Sequence, residues 1–144
     1  VSHVGAIVAA VTLAGPLAAG AAEVAVVEML PAPMERVWRA TEAALRELGW
    51  GIDHADRTIG VLVTESHRLA GDDEGIQART RRLRLRVRLV PATERETRVV
   101  IERELFDRER VLWVEKDDPI VLRDALGPDP GLERRLVAAI RKAL

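Results

Sequence analysis

From Arg81 to Val90, apolar and basic side chains alternate almost without exception. Leu83, Leu85, Val87 and Leu89 fall on one face of an extended chain, and Arg82, Arg84, Arg86 and Arg88 on the other. A repeat of two over this length predicts a strand with one buried face. Pro91 to Glu96 carries turn residues, and beyond it Val99, Ile101 and Leu105 predict a return strand, with Arg98, Glu102 and Glu104 on its other side. Pairing Val87 with Ile101 sets Arg86 opposite Glu102 and Arg84 opposite Glu104. A slip of two residues would still oppose Arg with Glu.

The pattern changes period elsewhere. Glu23 to Leu30 is a short β-type run closed by Pro31-Ala32-Pro33. Val37, Thr41, Ala44, Leu45 and Leu48 then recur at helical spacing, flanked by Trp38, with Pro33 suited to the first turn and Gly49 to a left-handed stop. Trp50–Ala55 and Ile59–Glu65 predict two strands joined by a tight turn through Asp56-Arg57-Thr58. Ala70–Gly75 is polar and aperiodic, which predicts an exposed loop. Val111–Val114 either extends the return strand or begins another, and Asp117-Asp118-Pro119 is expected to break it. Pro119–Leu126 is expected to form a short helix or an irregular crossing. A last helix opens at Asp129-Pro130 with Leu132, Leu136, Ala139, Ile140 and Leu144 as its stripe. The predicted order is β-α-β-β-β-β-α, an α+β class with one antiparallel sheet carrying its helices on one face.

Charge is distributed unevenly. Residues 1–22 contain no Lys, Arg, Asp or Glu, so all 22 basic and 23 acidic residues lie from Glu23 onward. The apolar run Val4–Leu17, followed by Ala18-Ala19-Gly20-Ala21, has the form of a secretory segment, although Val1-Ser2-His3 lacks the usual positive charge. We therefore expect cleavage near Ala21 or Ala22, a single domain over 23–144, and a periplasmic or secreted location; an uncleaved membrane anchor is the alternative. With no Cys, the fold has no disulfide support and no lipobox. A net charge of −1, with aromatic residues at 3%, argues against nucleic acid as a partner. The basic residues are 20 Arg and only 2 Lys, a bias that fits a GC-rich bacterial genome.

Candidate chemistry is sparse. Arg82, Arg84, Arg86 and Arg88 could grip anionic lipid headgroups or lipopolysaccharide, but Glu102 and Glu104 stand where cross-strand pairing would neutralise them. His54 lies between Asp53 and Asp56, yet alternation would turn Asp53 away and no further ligand is spaced to complete a metal site. Ser66 and His67 are strand neighbours facing opposite sides, which excludes a nucleophile–base pair there. Asp72-Asp73-Glu74-Gly75 lacks the alternating spacing of a calcium loop. Trp38, Trp50, Trp113 and Phe106 are expected to anchor the core. These readings predict no cofactor, no metal and no catalytic residue.

The segment Pro33–Glu65 resembles a helix-grip unit of the BamC/NlpB family, envelope proteins of the outer-membrane β-barrel assembly machinery. The shared features are a helix carrying Trp38, Ala44 and Leu45, then Gly49, a strand, Asp56-Arg57, and a strand with Gly60. The segment covers about a quarter of the chain. The family's lipid-anchored Cys, long partner-binding segment and second domain have no counterpart here. The resemblance implies a non-enzymatic envelope protein contacting another envelope protein, as an accessory or assembly factor. Val26-Val27-Glu28 through Val37-Trp38 also resembles the opening of START-like helix-grip proteins, which implies, as the alternative, a carrier of a small apolar or lipid ligand.

Overall fold

The computed structural model describes residues 25–120 and 130–144. The secretory segment at 1–22, the start of the first strand at Glu23, the Asp129 cap and all but the start of the crossing at 119–126 lie outside them. Strands β1 (Ala25–Leu30), β2 (Ile52–Asp56), β3 (Val61–Thr64), β4 (His67–Asp72), β5 (Gln77–Thr93), β6 (Glu96–Val111) and β7 (Val114–Pro119) form one antiparallel sheet, with helices α1 (Met34–Glu47) and α2 (Gly131–Ala143). The α+β class is as expected. The element order differs by two additional strands.

The β5–β6 hairpin organises the molecule. Its strands run 17 and 16 residues, about 50 Å at the usual rise per residue. Val87 pairs with Ile101, Arg86 with Glu102 and Arg84 with Glu104, the register expected from the alternation. The hairpin closes on Glu94-Arg95, later than expected, because Pro91 stays within β5. Leu89 N–H donates to Gly60 O at 2.8 Å. The same edge at Pro91 lies past the end of β3, so its missing N–H costs no ladder bond.

One half of this hairpin is covered by helices and forms the body. α1 ends as its sequence requires: Gly49 takes φ +81°, Gly49 N–H donates to Arg46 O at 3.1 Å and Trp50 N–H to Leu45 O at 2.8 Å. That double closure brings Trp50 back against the core. Pro33 occupies the cap position rather than the first turn, with ψ 153°. α1 buries Val37, Trp38, Ala40, Thr41, Ala44 and Leu45 against Leu85, Val87, Leu89, Val99 and Ile101, while Leu48, expected in the stripe, is exposed. α2 contributes Leu136, Val137, Ala139 and Ile140. Glu133 on α2 is also fully buried; both its oxygens accept from Arg103 of β6, Nε and Nη2 at 2.8 Å each.

The other half projects past the helices as an arm. There β4 pairs with residues 79–83 of β5, and β7 with residues 106–111 of β6. The expected 70–75 loop is thus shortened: residues 70–72 belong to β4, and the loop is 73–76. Gly71 makes this possible at φ +91°, where a Cβ would strike the Arg79 carbonyl. Asp117-Asp118-Pro119, expected to break the chain, instead completes β7, because the exposed edge of β6 supplies the partner that these residues lack locally.

Candidate functional site

Two surfaces carry the chemistry: the sheet face opposite the helices, and the end of the arm. The first begins with Arg82, Arg84, Arg86 and Arg88. The β5–β6 register aims them at acidic residues two rungs wide. Arg84 Nε donates to Glu104 Oε2 at 2.5 Å, Arg86 Nε to Glu104 Oε1 at 2.8 Å, and an Arg88 amine to Glu102 at 3.4 Å. Arg82 Nε donates to Ser66 Oγ at 2.6 Å and its Nη2 to Ser66 O at 3.1 Å, fastening the kink between β3 and β4. Further along, Arg108 holds Asp117 through bonds of 2.8 and 3.1 Å. Phe106, only 2% exposed, lies beneath Arg84 and Arg108 at 4.7 and 5.5 Å. Phe106 is buried as expected, but under guanidinium groups rather than helices.

These contacts set the electrostatics. The Arg108 hydrogen bond holds the Asp117 carboxyl below its ordinary pKa, and reciprocally raises that of Arg108. On the opposite face of the arm, Arg81 and then Arg79 act likewise on Asp107, through bonds of 3.1 and 3.2 Å. Such partly exposed pairs contribute modestly one by one. Together they keep both faces of a long, thin sheet polar.

A shallow depression of about 240 Å³ opens on the same face, lined by Asp53, Thr64, Glu65, Ser66, Arg82, Arg84 and Arg108. A bulge between Ile52 and His54 brings Asp53 to its wall. An incoming anion would meet the Asp53 and Glu65 carboxylates as well as three guanidinium groups, so the depression is mixed in charge rather than anion-selective.

The remaining sequence candidates are dispersed. Ser66 Oγ accepts from Arg82, whereas the His67 ring stacks on Trp50 at 3.8 Å with a 3° interplanar angle. The two side chains are committed to different partners. His54 is exposed on β2, and Asp56 Oδ1 accepts from Thr58 N–H at 2.9 Å, capping the turn. Asp72 Oδ1 does the same for Glu74 N–H at 2.9 Å. Among the described residues no three His, Asp or Glu side chains converge as metal ligands would, and no helix is long and apolar enough to cross a membrane.

The second surface was not expected. Trp38 and Trp50 are buried, at 1% and 6% exposure, but Trp113 is 86% exposed. Leu112 and Trp113 form the two-residue turn between β6 and β7, with Leu112 at φ 59°. Val111 and Val114 make the last rung, and Ile76 O accepts from Leu112 N–H at 2.8 Å, placing Ile76 beside the turn. All five side chains are exposed. The sequence signal was an unalternating apolar quartet, Val111–Val114, set between charged residues at Arg110 and Glu115. Reading it as strand rather than apex hid its exposure.

No protein-family model matches the chain, and no curated protein matches it significantly.

Proposed function

We propose that this is an exported, non-enzymatic protein of the bacterial envelope that acts by surface contact, as an accessory or assembly factor. The observation that carries this reading is the exposed cluster Ile76, Val111, Leu112, Trp113 and Val114 at the end of the arm. Large apolar side chains held together in water on paired strands favour a contact surface over a stability role. The charge-free residues 1–22 support the compartment. The divergent partners of Ser66 and His67 support the absence of an acyl-transfer site.

The reading also draws on the sequence likeness of Pro33–Glu65 to a BamC/NlpB helix-grip unit, a segment that folds here as α1, the Gly49 stop, the Asp56-Arg57 turn, and Gly60 against the Leu89 carbonyl. Membership of an assembly machine rests on that fold analogy. A ligand carrier would need room between helix and sheet, where Trp38, Leu45, Leu85, Ile101 and Ile140 are packed at no more than 1% exposure. Anionic-lipid contact through Arg82, Arg84, Arg86 and Arg88 would have to displace Glu102, Glu104 and Ser66, so it ranks behind contact through the apex.

Crosslinking in the native envelope, with intact-mass measurement of the mature chain, tests the proposal. The expected result is a chain cleaved near Ala21 or Ala22 that crosslinks reproducibly to envelope components. A cytoplasmic chain retaining Val1, or turnover of a substrate by the purified protein, would refute it.

A further inference from the structure

We infer that the apex of the arm inserts into the interfacial layer of a zwitterionic lipid bilayer, with Trp113 as its anchor. The inference deepens the surface-contact reading and rests on it. Three observations single out a bilayer.

The apolar residues cap a convex tip and are all exposed. Leu112 and Trp113 form the turn, Val111 and Val114 the rung behind it, and Ile76 flanks it from the neighbouring loop. A fluid layer covers such a tip without a preformed pocket.

The apolar zone is also short. The first rungs behind it are Arg110–Glu115 and Glu109–Lys116. From there to the turn is about two residue rows, roughly 7 Å, which lies within the roughly 5–10 Å depth of the headgroup–acyl boundary. Further back, the shaft carries the Arg108–Asp117, Arg79–Asp107 and Lys116–Asp118 pairs, so deeper entry would desolvate ions. The polar shaft sets the depth, and a Trp at this level matches the preference of its amphipathic ring for the interface.

Finally, the collar has no surplus of positive charge to draw anionic headgroups. The two charged rungs each pair one base with one acid, Arg68 and Arg82 lie 3.8 and 3.6 Å from the Asp73 carboxylate, and Arg110 donates to the Asp73 carbonyl. Asp72 at the end of β4 and Glu74 in the loop leave no net basic field at the apex. Apolar insertion, rather than charge, must therefore supply the affinity, and added salt should leave binding almost unchanged.

The test uses the mature chain from Glu23, which holds every described element, with phosphatidylcholine vesicles, read by cosedimentation and by tryptophan emission. Without the apolar residues 1–22, differences between variants report the apex. Trp38 and Trp50 are buried, so a blue shift on vesicle addition reports Trp113. We expect cosedimentation with a blue shift in the unaltered chain. Leu112→Ser with Trp113→Ser should reduce partitioning on the order of tenfold or more with an unchanged far-ultraviolet spectrum. Trp113→Phe should abolish the shift while retaining most binding. Salt, or replacement of part of the lipid by phosphatidylglycerol, should alter binding less than twofold or so.

Unchanged Trp113 emission overturns the inference, as does binding confined to anionic vesicles and lost in salt. Two further results overturn it while leaving the surface-contact reading standing. One is self-association abolished by the Ser variant without vesicle binding. The other is loss of envelope protein crosslinks in that variant without vesicle binding. If the variant changes neither crosslinks nor vesicle binding, the apex reading and the bilayer inference both fall.

Discussion

Glu133 sits on α2 with no exposure to solvent, in a position where a carboxylate would be prohibitively costly without a partner. Arg103 supplies a two-pronged one, and its own side chain is only 17% exposed. Removing Arg103 takes the two-pronged partner away from a carboxylate with no exposure to solvent. Arg103→Ala should therefore destabilise the protein by about 3–5 kcal/mol in a denaturant melt. Replacing Glu133 by Leu as well should recover part of that loss, and a double variant no more stable than Arg103→Ala would count against this account. Asp117 offers a milder, pH-dependent case. Its pKa is held down by Arg108, so its contribution is complete above the ordinary carboxylate range and is lost as pH falls through the lowered value. The stability difference between the unaltered chain and Asp117→Asn should accordingly be constant near neutrality and vanish in strong acid. An acid titration of the two melts checks this.

Individual elements owe their form to different mixtures of local and distant forces. α1 is locally complete: an apolar stripe, a proline at its start and Gly49 in the left-handed region at its end. β5 needs its partners, but its alternation settles which face they cover. Leu85 and Val87 are fully buried, whereas the side chain of Arg88 is half exposed. Leu85→Asp should therefore cost more than about 4 kcal/mol and unfold the domain. Arg88→Gln should change stability by less than about 1 kcal/mol. Equal shifts in denaturant midpoint would refute the assigned facing. β4 and β7 show the opposite balance, since neither has a buried side chain and both exist as ladders on the long hairpin.

That contrast extends to the whole molecule, a packed body joined to an arm held by backbone ladders and surface ion pairs. Elements with little apolar burial open at lower free energy than the core. Amides in β4 and β7 should exchange with solvent well before those at 85–89 and 99–103 in the body, as hydrogen exchange followed by residue would show. Uniform protection along β5–β6 and both arm edges would mean that the arm belongs to the same cooperative unit. An arm that opens locally leaves the body intact, so changes at the apex can be studied without unfolding the protein.

The repeat of two in β5 and β6, the helical stripe and stop of α1, and the facing of Leu83 to Leu89 all follow from neighbours in the chain, because side-chain period and backbone dihedral preferences are local. The facing of Arg toward Glu follows as well, but not the exact register, because a slip of two residues keeps the same faces and charges opposed; the turn at Glu94-Arg95 sets it. The edge strands were decided by tertiary structure. Asp117-Asp118-Pro119 and Ala70-Gly71-Asp72 carry the residues of turns, and they become extended only because the long hairpin presents unpaired N–H and carbonyl groups beside them. The burial of Glu133 likewise depends on Arg103, 30 residues away in sequence. Trp113 is exposed for the same kind of reason: a tryptophan is buried only where the fold brings a second layer to cover it, and both described helices pack on the body, leaving the arm's turn in solvent.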